Sequence, residues 1–554
     1  MKHSRVKILV FACIVLALSL PSIFPLMQKG YFPMHDDTQV ARVISMTRAI
    51  QDGQFPVRSV KDLGYGFGYP LYNFYGPLPY YVGSFFSLIG YSPLDATKIM
   101  MALGMILPSL TMGFVLYSFF GFTAAVLGTV LYIFAPYHAV ELYVRGAVGE
   151  LWTLIFLPLV FYGFLKEKKT VYTLLVGAVG LAGVIVSHTI IGFITLLFLG
   201  MGLFLAVGKE FITKNKSFRQ SIFPNICMVL LGLGFSSFFW LPAVFEMGYT
   251  NVSSQVGGGA DFKDHFVCLS QFWNSLWGFG GSTKGCIDGL SFRLGKIYVF
   301  TFFLGLFFTF WKRKNKTWIL SVLAIVLVIV SLFMMTEGSV WFWEHIPYFP
   351  YIQYPWRFLV FVVFGISFLG AWNFSLLKIS ALKQSIICAG IISVVIGVSL
   401  KLFSPQYIYD FPSTGTLTDE EIRTKYSRIS DEYLPSGFKR DAEDVGLSHG
   451  TVEGLSGEVA KYFSSSTYTQ WNVLVDTESR VRLGIAYFPW WSISVDKKPV
   501  QVLVEKGMPV LVLPKGEHII EADLRSTPVQ LIGNVISLVS VFLSIIYYGK
   551  KQIA

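Results

Sequence analysis

Apolar runs of about 20 residues recur along the chain, separated by short basic or longer polar stretches, which is the pattern of membrane-spanning helices. They fall near residues 6–26, 95–120, 122–137, 150–165, 171–187, 189–207, 221–246, 297–311, 317–335, 356–377, 384–403 and 528–548. The first run follows Lys2, Arg5 and Lys7 as a secretory signal would. No small-residue cleavage site precedes Pro21 and Pro25, so it reads as a span.

With the N-terminus in the cytoplasm, the basic clusters fall inside: Lys166 to Lys169, Lys209 to Arg219, Lys312 to Lys316, Lys378 with Lys383, and Lys550 with Lys551. Twelve spans satisfy the positive-inside rule at each of them, and a miscount by one would misplace the later clusters. Both termini are then cytoplasmic. The same topology exports the long segments 27–94, 138–149, 247–296, 336–355 and 404–527, so any chemistry belongs on the outer face.

Composition agrees. Of 554 residues, 54% are hydrophobic and 14% charged, against about a quarter charged in a soluble domain. A soluble enzyme is excluded. The net charge of +11 sits in small clusters beside apolar spans, so it is topological and does not point to nucleic acid. Residues 404–527 are polar, with alternating stretches at Val481 to Tyr487 and Val500 to Val504. They read as a β-rich external domain before the last helix, with one hairpin of Trp491 to Val495, a turn at Asp496 to Pro499 and a return at Gln501 to Val504. The division is therefore 1–403 as a membrane domain, 404–527 as the external domain, and 528–554 as a last helix with a cytoplasmic tail.

P-loop, HExxH, CxxC-pair and dinucleotide signatures are missing. What remains is a set of polar residues at the outer ends of the spans, where ionisable side chains are costly and mark function. His35, Asp36 and Asp37 follow the first span, ahead of Gln39 and Arg42 on a short helix. Adjacent carboxylates could hold a metal or act as a base; the plain alternative is a solvated loop capping a helix. Gly64 to Tyr81 is dense in Tyr, Pro and Gly, either an interfacial anchor or an aromatic wall for a sugar or polyprenyl chain. Arg145 could bind a lipid phosphate, or pair with Glu150 to hold its loop. His188, Glu246 and Arg357 sit at outer helix ends and read as interfacial anchors or satisfied polar groups on the plain view, or as functional contacts given their convergence on one face. Cys268 and Cys286 share an exported loop and are disulfide candidates, and His265 in that loop contacts either substrate or solvent.

These residues resemble those of the GT-C superfamily of membrane glycosyltransferases, which carry an acidic motif in the first external loop. More narrowly, FPMHDDTQVARV, the Gly- and Tyr-rich segment after it, YVRGAVGE, FWLPAVFE, QYPWRF and EYLP resemble the bacterial membrane family labelled 6-pyruvoyl-tetrahydropterin synthase-related. The sequence shows no zinc-binding histidine cluster of the kind pterin chemistry needs. AYFPWWSISVDKKPV and the stretch from Leu513 onward are similar to the end of YfhO-type proteins. The resemblance implies a polytopic α-helical protein of the bacterial cytoplasmic membrane that transfers sugar from a polyprenyl-phosphate donor to an extracytoplasmic acceptor. It puts Asp36 in the position of the loop acid; Asp37, which the resemblance does not match, reads from its adjacency as a second acid or a ligand of a divalent cation. From their own placement and charge, not from the resemblance, His35, Arg145, Glu150, His188, Glu246, His265 and Arg357 read as substrate contacts, one of the two arginines stabilising the leaving phosphate. The alternative is a non-catalytic carrier, flippase or assembly platform, with Trp471, Trp490 and Trp491 either stacking on glycan or forming the core of the external domain.

Overall fold

The computed structural model describes residues 2–213, 222–257, 260–438 and 452–553; Lys214, Lys216 and Arg219 lie outside it. Eight helices are long and apolar enough to cross a membrane. Two bent pairs, Phe122–Ile133 with Pro136–Arg145 and Trp318–Met334 with Glu337–His345, and the shorter apolar helices Val171–Ser187 and Lys296–Trp311 complete the bundle. Together they occupy the twelve apolar runs, so the chain is a polytopic integral membrane protein.

Helices that are apolar all round belong inside a bundle. Leu359–Ser375 is one, with 94% of the window that contains it buried, and Val148–Leu165 follows at 78%. The last helix, Pro528–Ile553, is peripheral, with 17% of its window buried. The two central helices start at the same end of the bundle, and their heads carry Glu150 and Arg357. Lys166, Lys168 and Lys169 follow the other end of Val148–Leu165. Local signals set the boundaries: Ser92 caps Pro93–Phe120 through the Asp95 amide, and Thr170 with Thr173 forms a capping box on Val171–Ser187.

At the polar end, the segment 27–94 folds into helices Gln39–Gln51 and Leu78–Leu88 joined by turns. Among the described residues strands begin at Val452. The described residues 404–438 instead lie along the loops of the membrane domain, with bridges Tyr31 to Tyr409 and Thr250 to Pro435 and a bond from the Leu94 amide to Gly415 O (2.9 Å).

Residues 452–524 form a β-sandwich of two antiparallel sheets. One has the order β1-β4-β8-β7, from Val452–Glu453, Ser479–Leu483, Met508–Leu513 and Leu503–Glu505. The other has the order β2-β3-β9-β5-β6, from Gly457–Ser464, Tyr468–Val475, Gly516–Leu524, Trp491–Val495 and Lys498–Pro499. The expected hairpin is only half present. Strand β5 turns at Asp496 and Lys497, both at positive φ, and pairs with the two-residue β6. The return at Gln501 to Val504 crosses into the other sheet, where β7 pairs with β8. Alternation fixes which face of a strand is buried, not its partner. Trp471, Trp490 and Trp491 are buried at 0%, 3% and 7% exposure, so they are core and not a glycan stack. The sandwich docks on the first loop: the Ala486 amide donates to Phe67 O (2.7 Å) and the Ser466 amide to Asp52 Oδ2 (2.6 Å).

Candidate functional site

The loop His35 to Asp37 is pinned by its backbone. The His35 amide donates to Val144 O (3.1 Å) and the Asp36 amide to Arg145 O (2.8 Å). Gln39 donates from Nε2 to Asp36 O (2.9 Å) and Gly146 O (2.8 Å). Gly146 is left-handed at φ +68°, and a Cβ there would run into Met34, so only glycine lets the two segments meet. His35 is exposed and its Nε2 lies 3.0 Å from Phe279 O of the disulfide-closed loop. Asp36 and Asp37 are half-buried, and among the described residues neither forms an ion pair within 4 Å. Burial pushes the Asp37 carboxyl up to about 6, opposed by nearby Lys425.

Beneath this loop lies Arg42, 5% exposed, with its guanidinium 4.3 Å over the Tyr75 ring and bonded to Tyr80 Oη (3.3 Å). Tyr80 in turn donates to Gln39 Oε1 (2.7 Å), and Tyr72 to Arg42 O (2.7 Å). The Tyr-rich segment is therefore not an interfacial anchor. Tyr69, Tyr72 and Tyr80 are at most 1% exposed, and Tyr72, Tyr75 and Tyr80 surround Arg42. Glu432 and Tyr433 of the EYLP stretch return to the same place and interact electrostatically with Arg42. Arg42 and Lys425 are cations beside the acid loop that form no ion pair within 4 Å among the described residues.

Below Asp36, Glu150 is the hub of a buried network. Its Oε1 accepts from Arg145 Nη2 (3.0 Å) and Arg357 Nε (2.8 Å), and its Oε2 from Tyr137 Oη (3.2 Å). Arg145 also pairs with Glu141 Oε1 (2.5 Å), and Arg357 donates to Ile352 O and lies over Tyr354. Two guanidiniums and two carboxylates balance. The expectation that Arg145 or Arg357 waits for a lipid phosphate meets a physical obstacle, since both are committed to carboxylates; the pairing of Arg145 with Glu150 is the arrangement found. His188 accepts from the Ile191 amide at Nδ1 (3.3 Å), which puts its proton on Nε2, 3.9 Å from Glu150. Gly76 packs against the Ser187 carbonyl, where a Cβ would not fit, and so locks the Tyr-rich segment onto this junction.

Glu246, 2% exposed, is a strut. It accepts from Asn73 Nδ2 (2.8 Å), Gln530 Nε2 (3.1 Å) and the Thr527 hydroxyl, while Arg58 bonds Asn73 and Asn534. It ties the first loop to the head of the last helix and turns no oxygen to a substrate space. His265, also buried, bonds Ser282 (2.5 Å) and packs edge-on to Tyr354 and Trp356. Cys268 and Cys286 form a disulfide.

Among the described residues no group of three or more His, Cys, Asp or Glu is placed to hold a metal ion. Asp36 and Asp37 alone do not make a protein cage for a divalent cation, and no step is routed through one. Sequence reasoning missed Glu141 and gave Arg42, Glu432 and Lys425 no role. Glu141 carried a readable signal, standing four residues before Arg145 at the spacing of a helix ion pair. Glu432 and Lys425 lie almost 400 residues from Asp36, and only the path of 404–438 brings them back.

These features define a class: a polytopic membrane protein with a cluster of charged side chains at one end of its bundle and a β-sandwich docked beside it. Residues 72–408 match the family described as 6-pyruvoyl-tetrahydropterin synthase related domain, membrane protein, and the chain belongs to that family. An uncharacterized protein of Lactococcus lactis subsp. cremoris (strain MG1363) is 27% identical over 345 residues, 58% of this chain and 53% of the relative. The match thus spans about half the relative's length. Among solved structures, the apo oligosaccharyltransferase of Archaeoglobus fulgidus aligns with a TM-score of 0.46 at 12% identity, over 78% of this chain and 62% of its own. ArnT from Cupriavidus metallidurans bound to undecaprenyl phosphate aligns with a TM-score of 0.38 at 12% identity, over 70% and 63%.

Proposed function

We propose that this protein is a membrane glycosyltransferase that moves a sugar from a polyprenyl-phosphate donor to an acceptor outside the cytoplasmic membrane, with both termini in the cytoplasm. The observation that carries it is Asp36: a half-exposed carboxylate without an ion pair among the described residues, held by backbone bonds above a fully neutralised buried network. In this reading Asp36 takes the proton of the acceptor hydroxyl. The oxygen attacks the anomeric carbon from the face opposite the phosphate, and the bond to the phosphate oxygen breaks with its electron pair. Arg42 and Lys425 meet the charge that develops there, the part the sequence assigned to Arg145 or Arg357. Asp37, near neutral pH and beside Lys425, tunes the same wall.

The test is to incubate the purified protein with a panel of radiolabelled polyprenyl-phosphate sugars and follow release or transfer. Consumption of one donor supports the reading, and none consumed in any lipid contradicts it. One observation favours a non-catalytic carrier or assembly platform: the two arginines best placed to take a phosphate are already paired with Glu141 and Glu150. Donor binding without turnover would select that second reading.

A further inference from the structure

The five-stranded sheet buries one face in the sandwich through Trp471, Val473, Ile493, Ile520 and Ala522. With the two-residue period of a strand, the residues between them point the other way. The register aligns Phe463, Gln470, Glu521 and Ser494 in one row across β2, β3, β9 and β5. In flanking rows Asn472 pairs with Ile519, and Tyr468 with Asp523.

This face is organised, not merely solvated. The Tyr468 hydroxyl lies 2.9 Å from Gln470 Oε1 and 2.6 Å from Glu521 Oε1, Gln470 Nε2 donates to Asn472 Oδ1 (2.8 Å), and the Ser494 hydroxyl lies 3.4 Å from Glu521 Oε2. A ladder of amides, hydroxyls and a carboxylate is thus held in a plane, each member fixed by the next. Large apolar side chains border it: Phe463 is 56% exposed and Ile519 41%.

We infer that this outer sheet face is a platform for an uncharged oligosaccharide. Its chemistry selects that occupant. Along this face Glu517, Glu521 and Asp523 stand against Lys461, which lies opposite Asn472, and Arg525, which pairs with Asp523 (3.2 Å), so acids are in slight excess and phosphates and acidic polymers are disfavoured. A protein partner would want an apolar centre with a polar rim, and here the order is reversed. Sugar hydroxyls match carboxylate and amide groups, and the C–H face of a pyranose matches Phe463. The inference goes beyond the transfer reading and does not depend on it.

The experiment uses the purified full chain on a glycan array of uncharged, uronic-acid-containing and phosphorylated oligosaccharides, with no lipid-linked donor present. Wild type is expected to bind uncharged glycans. Glu521→Gln and Phe463→Ala are each expected to weaken binding by roughly tenfold, as loss of a charged hydrogen bond or a stacking ring does, at unchanged unfolding temperature. Asn472→Ala is a second probe of the ladder should either variant misfold, and Lys515→Ala on the β8–β9 turn is expected to leave binding unchanged. No binding to any array glycan, a preference for the anionic ones, or binding unaltered by the ladder variants overturns the inference. A protein that transfers sugar yet binds no glycan here loses only this platform, and one that binds without transferring loses only the transferase reading.

Discussion

The acid loop and the Glu150 network lie side by side at the polar end, joined by the bond from the Asp36 amide to Arg145 O, yet their charges are arranged in opposite ways. Glu150 is 1% exposed and spends both oxygens on Arg145, Arg357 and Tyr137. Asp36 and Asp37 are half-buried, with Arg42 and Lys425 near but outside ion-pair distance. Removing a partner from a buried balanced network strands a charge, whereas a held but unspent carboxylate is available to a ligand. Density of charge and unspent valence therefore point to different places, and the proposed chemistry rests on the second.

The comparison can be broken from either side. Glu150→Ala leaves two buried guanidiniums short of a partner and is expected to cost about 3–5 kcal/mol, read as a large fall in unfolding temperature in detergent. Unchanged stability would mean that the network is not structural. Glu246→Ala orphans Asn73 and Gln530 at the head of the last helix, and a smaller loss of about 1–3 kcal/mol is expected in the same assay. Limited proteolysis should also reach the 524–530 connection faster. The smallest effect concerns Asp37. Its carboxyl is raised from 3.8 to about 6, so the folded protein holds a proton there that the unfolded chain releases. Its contribution to stability is present below about pH 4 and lost as pH rises through about 6. Asp37→Asn should flatten that segment of the unfolding-temperature profile, and an unaltered slope would assign it elsewhere.

Much of the fold was legible because membrane spans are written in unbroken hydropathy: all twelve apolar runs are occupied by helix. The acid loop was legible for the same reason, being charge next to an apolar span. Partnership was not. Glu141 and Arg145 have the four-residue spacing of a helix ion pair, but that Arg145 also reaches Glu150, and that Arg357 joins them from 207 residues away, depends on tertiary packing. That Gln501 to Val504 leaves its hairpin depends on sheet topology, and that the tyrosines are walls and not anchors depends on the 404–438 segment folding back over them.

Asp36 is proposed to do chemistry where Glu150 holds structure. The measurement is sugar transfer from polyprenyl-phosphate donors by wild type and Asp36→Asn, at matched unfolding temperature and lipid content. Turnover lowered by roughly 100-fold or more, with folding intact, is the predicted result, as loss of a general base requires. Transfer at the wild-type rate by the folded variant would contradict it.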